Sequence, residues 1–234
     1  GKNVAISYAC LGCTVATNSV QVFVSFAIFN PFFFAMVSDE EFSRLRAYVN
    51  RFMVLPEPDF GAMQQRMVRQ TVPKGGHLLK AGEVCTGIAF INKGHLRSHC
   101  LVKGEEVTYN FWFEGNFITD YSSFLTRQPS AETHEALDDV EVITVSYEDM
   151  QDLYKQFPGW DKFGRLIAEF IIIGIAERNR AMLFLSPEEQ YLNLMKTRPK
   201  VFANVPQHYI ASYLGLRPES LSRIRKRLAT AKKI

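Results

Sequence analysis

Acidic residues almost vanish from the last 39 residues of this 234-residue chain, and charge of either sign vanishes between Lys2 and Asp39. Nowhere do histidines, cysteines or acids assemble into a catalytic pattern. His77, His95, His99, His134 and His208 are scattered, and there is no phosphate-cradling glycine loop, nucleophile elbow or paired-carboxylate motif. An enzyme is therefore not expected, no catalytic or metal-ligating residue is assigned, and no cofactor is required. Cysteine is scarce: Cys10, Cys13, Cys85 and Cys100 do not argue for disulfides in a chain that reads as cytoplasmic. Proline is missing from Trp160 to Leu185, which leaves that stretch free to be one long helix.

What is present is clearest near the C-terminus. Pro206 suits a first helical turn, and Ile210, Ala211 and Leu214 follow on one face at three- and four-residue spacing. Gly215 supplies the backbone freedom of a tight turn, and Ala211 is small where a second helix must cross. Pro218 opens that helix, Glu219 complements its positive end, and Leu221, Ile224 and Leu228 form its buried stripe. This is a helix-turn-helix pattern, and duplex DNA is the expected partner. Such a second helix enters the major groove by its N-terminal half, so Glu219, Ser220 and Arg223 are expected at base edges. Gln207, Arg217, Ser222, Lys226 and Arg227 are expected at phosphates. Glu219 and Arg223 are also four apart, and a plain surface ion pair is the competing reading.

The charge distribution favours DNA. Residues 196–234 hold ten Lys or Arg and one acid, a net +9, so the first 195 residues carry −6 in a chain whose overall charge is +3. A basic tail on an acidic partner domain is the electrostatic footprint of a phosphate-contacting module.

Upstream, Gly87–Ile91, Leu96–Val102, Val107–Phe113 and Val140–Val145 are short runs rich in Val, Ile, Phe, Tyr and Thr. Between them lie turn signals at Lys74-Gly-Gly76, Asn92-Lys-Gly94, Lys103-Gly104 and Glu114-Gly-Asn116, spaced as in a sandwich or barrel. An antiparallel β-roll from Pro73 to about Val145 is expected. Residues 159–185 read as a long helix, with Leu166, Phe170, Ile173 and Ala176 on its apolar face and Ile171, Ile172 and Ile175 widening it. Such a helix needs cover on two sides, the roll on one and the same helix of a second subunit on the other. The competing reading is a core helix of a monomer.

This order of β-roll, long helix and helix-turn-helix resembles the Crp/Fnr family of bacterial transcription regulators. The resemblance runs from about Ser38 to Lys232, through Lys80-Ala-Gly82-Glu83, Phe90 to Arg97, Asn116-Phe-Ile118, Phe157-Pro158 and Ala211 to Ile224. The ending Ala211 to Arg223 is similar to the Bacteroidetes branch. The resemblance implies an α+β chain of four parts: an apolar extension at 1–37, an effector-sensing, cyclic-nucleotide-binding-like roll at 38–158, a dimerisation helix at 159–185 and a winged helix-turn-helix at 186–234. It also implies a homodimer, an effector in the roll and RNA polymerase as a partner. Pro218 stands where the best-known members have arginine, so the operator need not be theirs.

At the implied effector site this chain departs from the family. Thr119-Asp120 stands where cyclic-nucleotide binders have Gly-Glu, and Ser130-Ala131 where they have the Arg-Ser phosphate clamp. Arg is the fork that matches a phosphate, so cyclic AMP is not expected and an unidentified small effector takes its place. Arg97, Phe117, Thr119, Asp120, Arg127, Ser130 and Ala131 are assigned to this degenerate pocket. Arg127 is a candidate substitute cation, and Phe111, Trp112, Phe113 and Phe117 suit either an apolar ligand or the roll's own core.

Two alternatives stay open: a ligand-sensing module that acts through protein contacts, and a redox or metal sensor using the cysteines, of which only two are N-terminal. The tract 1–37 admits three readings: an upstream extension with Met36 as the start, an element packed on a dimer, or a membrane tether, the least favoured because Asn30-Pro31 breaks it.

Overall fold

A computed structural model describes residues 37–231, all within the second of two compact units, Phe33–Ile234. The expectations for the apolar tract, for Cys10, Cys13 and Met36, and for Lys232 lie outside those residues. No described helix is long and apolar enough to cross a membrane.

Two helices lead in, α1 (Asp39–Val49) and α2 (Glu57–Gln64). Ser38 starts α1 with a reciprocal cap: its Oγ accepts the Glu41 N–H at 3.3 Å while Glu41 Oε2 accepts the Ser38 N–H at 2.9 Å. Phe42, Leu45 and Val49 then recur on one face and are buried.

The roll follows, as β1 (Met67–Val72), β2 (His77–Leu79), β3 (Gly87–Lys93), β4 (His95–Val102), β5 (Glu105–Phe113), β6 (Phe117–Ile118), the short helix α3 (Tyr121–Thr126), β7 (Thr133–Ala136) and β8 (Val140–Ser146). Two four-stranded sheets form, in the orders β1-β8-β3-β6 and β2-β7-β4-β5, and every pairing is antiparallel. The roll begins at Met67, earlier than expected from the turn signals: Met67 and Val72 are buried on opposite faces of β1, one against the helices and one inside the roll, and Arg69, Gln70 and Thr71 between them hide the strand's apolar pattern. The four turn signals do mark turns. At Gly94 (φ +84°) an added Cβ would meet the Asp139 carbonyl oxygen at 2.5 Å, so only glycine fits between β3 and β4.

The helices α4 (Tyr147–Gln156) and α5 (Pro158–Phe184) come next. Pro158 opens α5, and Trp160 anchors it, fully buried, its Nε1–H donating to the Asp59 carbonyl at 2.8 Å. Beyond Phe163 the helix leaves the core: Phe170 is 59%, Ile172 64%, Ile173 58% and Ile175 55% exposed. Of the residues assigned to the dimer face, only Leu166 is half-buried, while Phe170, Ile173 and Ala176 are exposed. A monomer's core helix would have buried them.

The chain ends in α6 (Pro187–Thr197), α7 (Pro199–Asn204), α8 (Gln207–Tyr213) and α9 (Pro218–Ala231). Among the described residues no strand occurs after Ser146, so the wing expected within 186–234 is not seen there, and the segment up to Ala231 is helical. These supply Tyr191, Leu194 and Val201 to the core on which α8 and α9 sit.

Candidate functional site

The turn between α8 and α9 is built as its residues require. Gly215 adopts φ +67°, and the Leu216 N–H reaches back to the Ala211 carbonyl at 2.9 Å. Ile210, Ala211, Leu221 and Ile224 are buried where the helices cross. The remainder of α9 faces outward: Glu219, Ser222, Arg223, Arg225, Lys226 and Arg227 are all exposed, and Ser220 is half-buried. The competing ion pair is not formed. Arg223 Nη2 instead donates to Ser220 Oγ at 3.3 Å, leaving Glu219 unpaired among the described residues. Gln207 and Arg217 are exposed at the start of α8 and in the turn, whereas Arg227 is bound to Glu188 of α6.

The opposite side of α8 docks on the outer face of the roll. The Thr108 N–H donates to Ser212 Oγ at 2.9 Å, and Phe111 packs against Tyr213 with ring centroids 5.3 Å apart. Three arginines fasten the junction. Arg178 of α5 donates to the Tyr109 carbonyl and stacks on Tyr213 at 4.4 Å; Arg198 donates to Asn110 Oδ1 at 3.0 Å and to the Phe111 carbonyl. Arg97 lies 3.8 Å from the Tyr209 ring centroid. Sequence reasoning missed Arg178, Arg198, Tyr209 and Tyr213, since their partners lie about 70 to 110 residues away and no local spacing marks them.

Arg97 was expected in the effector pocket and belongs elsewhere. On β4, Leu96 and Ser98 point into the roll, so Arg97 and His99 point out. Arg97 Nε donates to Glu135 Oε2 at 2.6 Å, and its Nη2 bonds both Glu106 and Glu135. Burial, and then the Arg97 charge, push His99 below the ordinary histidine range.

Inside the roll is a cavity of about 130 Å³, lined by Leu79, Cys85, Ala89, Ile118, Thr119 and His134 among others. Thr119 is the one assigned pocket residue on its wall, and its hydroxyl donates to the Gly87 carbonyl at 3.1 Å. Asp120 caps α3, accepting the Ser123 N–H at 3.1 Å. Ser130 turns on itself, its Oγ accepting the Glu132 N–H at 2.9 Å, and Ala131 is exposed. Arg127 ends α3 with φ +57°, donates to the Cys85 carbonyl at 2.7 Å and stacks on Tyr147, so it holds the loop instead of substituting for the clamp. Phe117 packs with Tyr48, Phe90 and Phe163, and Phe111 faces the docked α8, so these aromatics serve the core and the junction. Phe117 and Thr119 also border a separate apolar cavity of about 170 Å³ that reaches Trp160 and Ile167 of α5.

No arginine lines the inner cavity. Its wall includes the polar Gln70, Glu83 and Thr119 and the buried His134, whose Nδ1 lies 2.7 Å from Ser98 Oγ and Nε2 4.0 Å from Glu132 Oε2. Burial lowers the His134 pKa to about 4 and raises that of Glu132 to about 7. Cys85 is buried in the core of the roll, and Cys100 is half-buried near the end of β4.

Comparison with known proteins places these parts. The cyclic nucleotide-binding domain family matches residues 69–157. A Crp/Fnr-family transcriptional regulator from Eubacterium rectale superimposes with TM-score 0.61 at 16% identity, covering 76% of this chain and 85% of its own. FixK2 from Bradyrhizobium japonicum gives 0.59 at 18% identity over 71% and 86%, and the global regulator CLP from Xanthomonas campestris 0.57 at 15% over 76% and 93%. No curated protein sequence matches the chain. The chain thus carries a cyclic nucleotide-binding domain followed by a long helix, with the fold of Crp/Fnr regulators.

Proposed function

We propose that this chain, with a cyclic nucleotide-binding domain in a Crp/Fnr regulator fold, is a dimeric, sequence-specific DNA-binding transcription regulator whose effector is not cyclic AMP. The observation that carries the reading is α9: Leu221 and Ile224 are buried while Arg223, Arg225, Lys226 and Glu219 stand free in solvent, a helix with one face for the core and one for a groove. Arg223 and Glu219 read bases, and Arg217, Ser222, Lys226 and Gln207 hold phosphates. Arg227 joins them on leaving Glu188. RNA polymerase is the partner through which such a regulator acts.

The exposed face of α5 supports dimerisation. Each large aliphatic side chain removed from water contributes roughly 1.5–3 kcal/mol, and this helix exposes Phe170, Ile172, Ile173 and Ile175 together. The same helix of a second copy covers them and sets two α9 helices about a two-fold axis.

The pocket supports a different effector from cyclic AMP. A cyclic phosphate entering at Ser130 would meet no guanidinium, since Arg127 is engaged by Cys85 and Tyr147, and would find Glu132 nearby. Regulators of this fold need not share an effector: CLP is described as responsive to cyclic di-GMP. The Bacteroidetes-type assignment rests on the Ala211 to Arg223 motif alone.

Fluorescence anisotropy with genomic fragments tests the reading. Binding that weakens steeply with salt, and is lowered by Arg223→Ala by about 1–3 kcal/mol at its cognate base, supports it. Binding that is absent, or indifferent to salt and to that substitution, overturns it and leaves a module acting through protein contacts.

A further inference from the structure

Between the roll and the helices that follow it lies the apolar cavity of about 170 Å³, and it is separate from the inner cavity. The strand residues on its wall, Met67, Ile88 and Val145, face the helices, whereas Ala89 and Val142 on the same strands face the interior of the roll. Its other wall is α5, which presents Gly164 and Ala168, one turn apart, among the larger Trp160, Ile167 and Ile171. Space is left where those two side chains are small. Packed interiors hold few voids larger than a water molecule, and an apolar cavity of about 150 Å³ stays dry and takes up benzene. Size and lining therefore match one aromatic ring with a short substituent.

The polar groups on the wall narrow the chemistry further. Among the described residues no charged side chain lines the cavity, which disfavours an ion. Thr119 Oγ1 donates to the Gly87 carbonyl at 3.1 Å, and the indole N–H groups of Trp112 and Trp160 donate to Ser98 Oγ at 2.7 Å and to the Asp59 carbonyl at 2.8 Å. Tyr121 is exposed and reaches water. The Tyr154 hydroxyl is left: its side chain is half-buried, and it makes no hydrogen bond among the described residues. It lies so close to α5 that a Cβ at Gly164 would meet it at 2.7 Å, so a glycine, which weakens a helix, stands where the hydroxyl needs room. Burial pushes Tyr154 up to about 12, and the hydroxyl stays protonated as a donor without an acceptor.

We propose that this cavity binds a small, neutral, single-ring aromatic molecule whose carbonyl or equivalent acceptor takes a hydrogen bond from Tyr154. The ring fills the space between Ile88 of the roll and Ala168 of α5 and braces the first half of α5 on the sheet. Methionines at Met63, Met67 and Met150 give the wall unbranched side chains that adapt to the shape of the guest. That such a molecule is the effector of a regulator rests on the function proposed above; its binding rests on the cavity alone.

Acetophenone is the probe, and α-methylstyrene, with a methylene in place of the carbonyl oxygen, is its control. Calorimetry on the full chain is expected to give one saturable site per chain for each compound. Tyr154→Phe is expected to weaken acetophenone roughly two- to tenfold and to leave α-methylstyrene unchanged. Ala168→Phe, which fills the cavity, is expected to abolish binding of both. The two tryptophans of the chain, Trp112 and Trp160, both line the cavity, so both indole N–H resonances are expected to shift at saturation. Tyr154→Phe keeps its ring and remains informative where Ala168→Phe disturbs the fold. No saturable binding, binding that both variants leave intact, an equal loss of both compounds in Tyr154→Phe, or indole resonances that stay unmoved overturns the proposal. None of these outcomes depends on DNA binding, so failure here is distinct from failure of the regulator reading.

Discussion

Glu132 and His134 titrate in opposite senses, and the difference is measurable. Burial raises Glu132 to about 7, so its contribution to stability is fully present below the unfolded carboxylate range and is lost as pH rises through 7. Burial lowers His134 to about 4, so the stability tied to its neutral form is present above the unfolded histidine range and is lost as pH falls through 4. Glu132→Gln, which removes the first effect, is expected to melt close to wild type near pH 4.5 and higher than wild type near pH 8, by up to about 3 kcal/mol in stability. A gap that does not widen with pH contradicts this placement of Glu132. At this scale the sequence was readable where a residue's role is local. Gly215, Pro218, Leu221 and Ile224 do what their spacing implies. Arg97 was not, because strand parity decides whether it faces the cavity or α8, and parity depends on which β4 neighbours the core takes.

Among the elements, α5 carries the sharpest consequence. Ile172→Asp sets a carboxylate in the middle of the exposed apolar face, and analytical ultracentrifugation is expected to show a monomer with an unchanged far-ultraviolet spectrum. A variant that remains a dimer would show that the pairing lies elsewhere. Gly215→Ala forces a Cβ into φ +67° and is expected to cost about 1 kcal/mol or more of stability, read as a lowered urea midpoint. The long helix, α9 and strands β3, β4, β5 and β8 were legible because each is long, strongly patterned or bounded by turn residues. The helices α6 and α7 were not. Their prolines at Pro187 and Pro199 stand inside the first turn, where they favour the helix, but both helices are short and carry no long periodic stripe. In place of the strands expected from family resemblance, the described residues there hold helices, and α6 and α7 complete the core on which α8 and α9 sit.

Among the described residues, the roll and the C-terminal helices meet through β5, fastened by Arg97, Arg178 and Arg198, and the exposed apolar face of α5 runs beside that junction. The acidic front and basic tail were visible in composition; the junction was not, because it joins residues distant in sequence. With no guanidinium in the inner cavity, calorimetry against cyclic AMP is expected to detect no binding at concentrations that saturate cyclic-nucleotide receptors, and measurable binding would contradict the assignment of Arg127 to the loop. The most direct test of the central claim is selection of binding sites from random duplexes by the full-length dimer. The expected result is a two-fold symmetric site whose half-sites lie one helical turn, about 34–36 Å, apart, with Arg223→Ala relaxing the sequence preference at one position in each half. Enrichment of no sequence, or of a single unrepeated half-site, would contradict it.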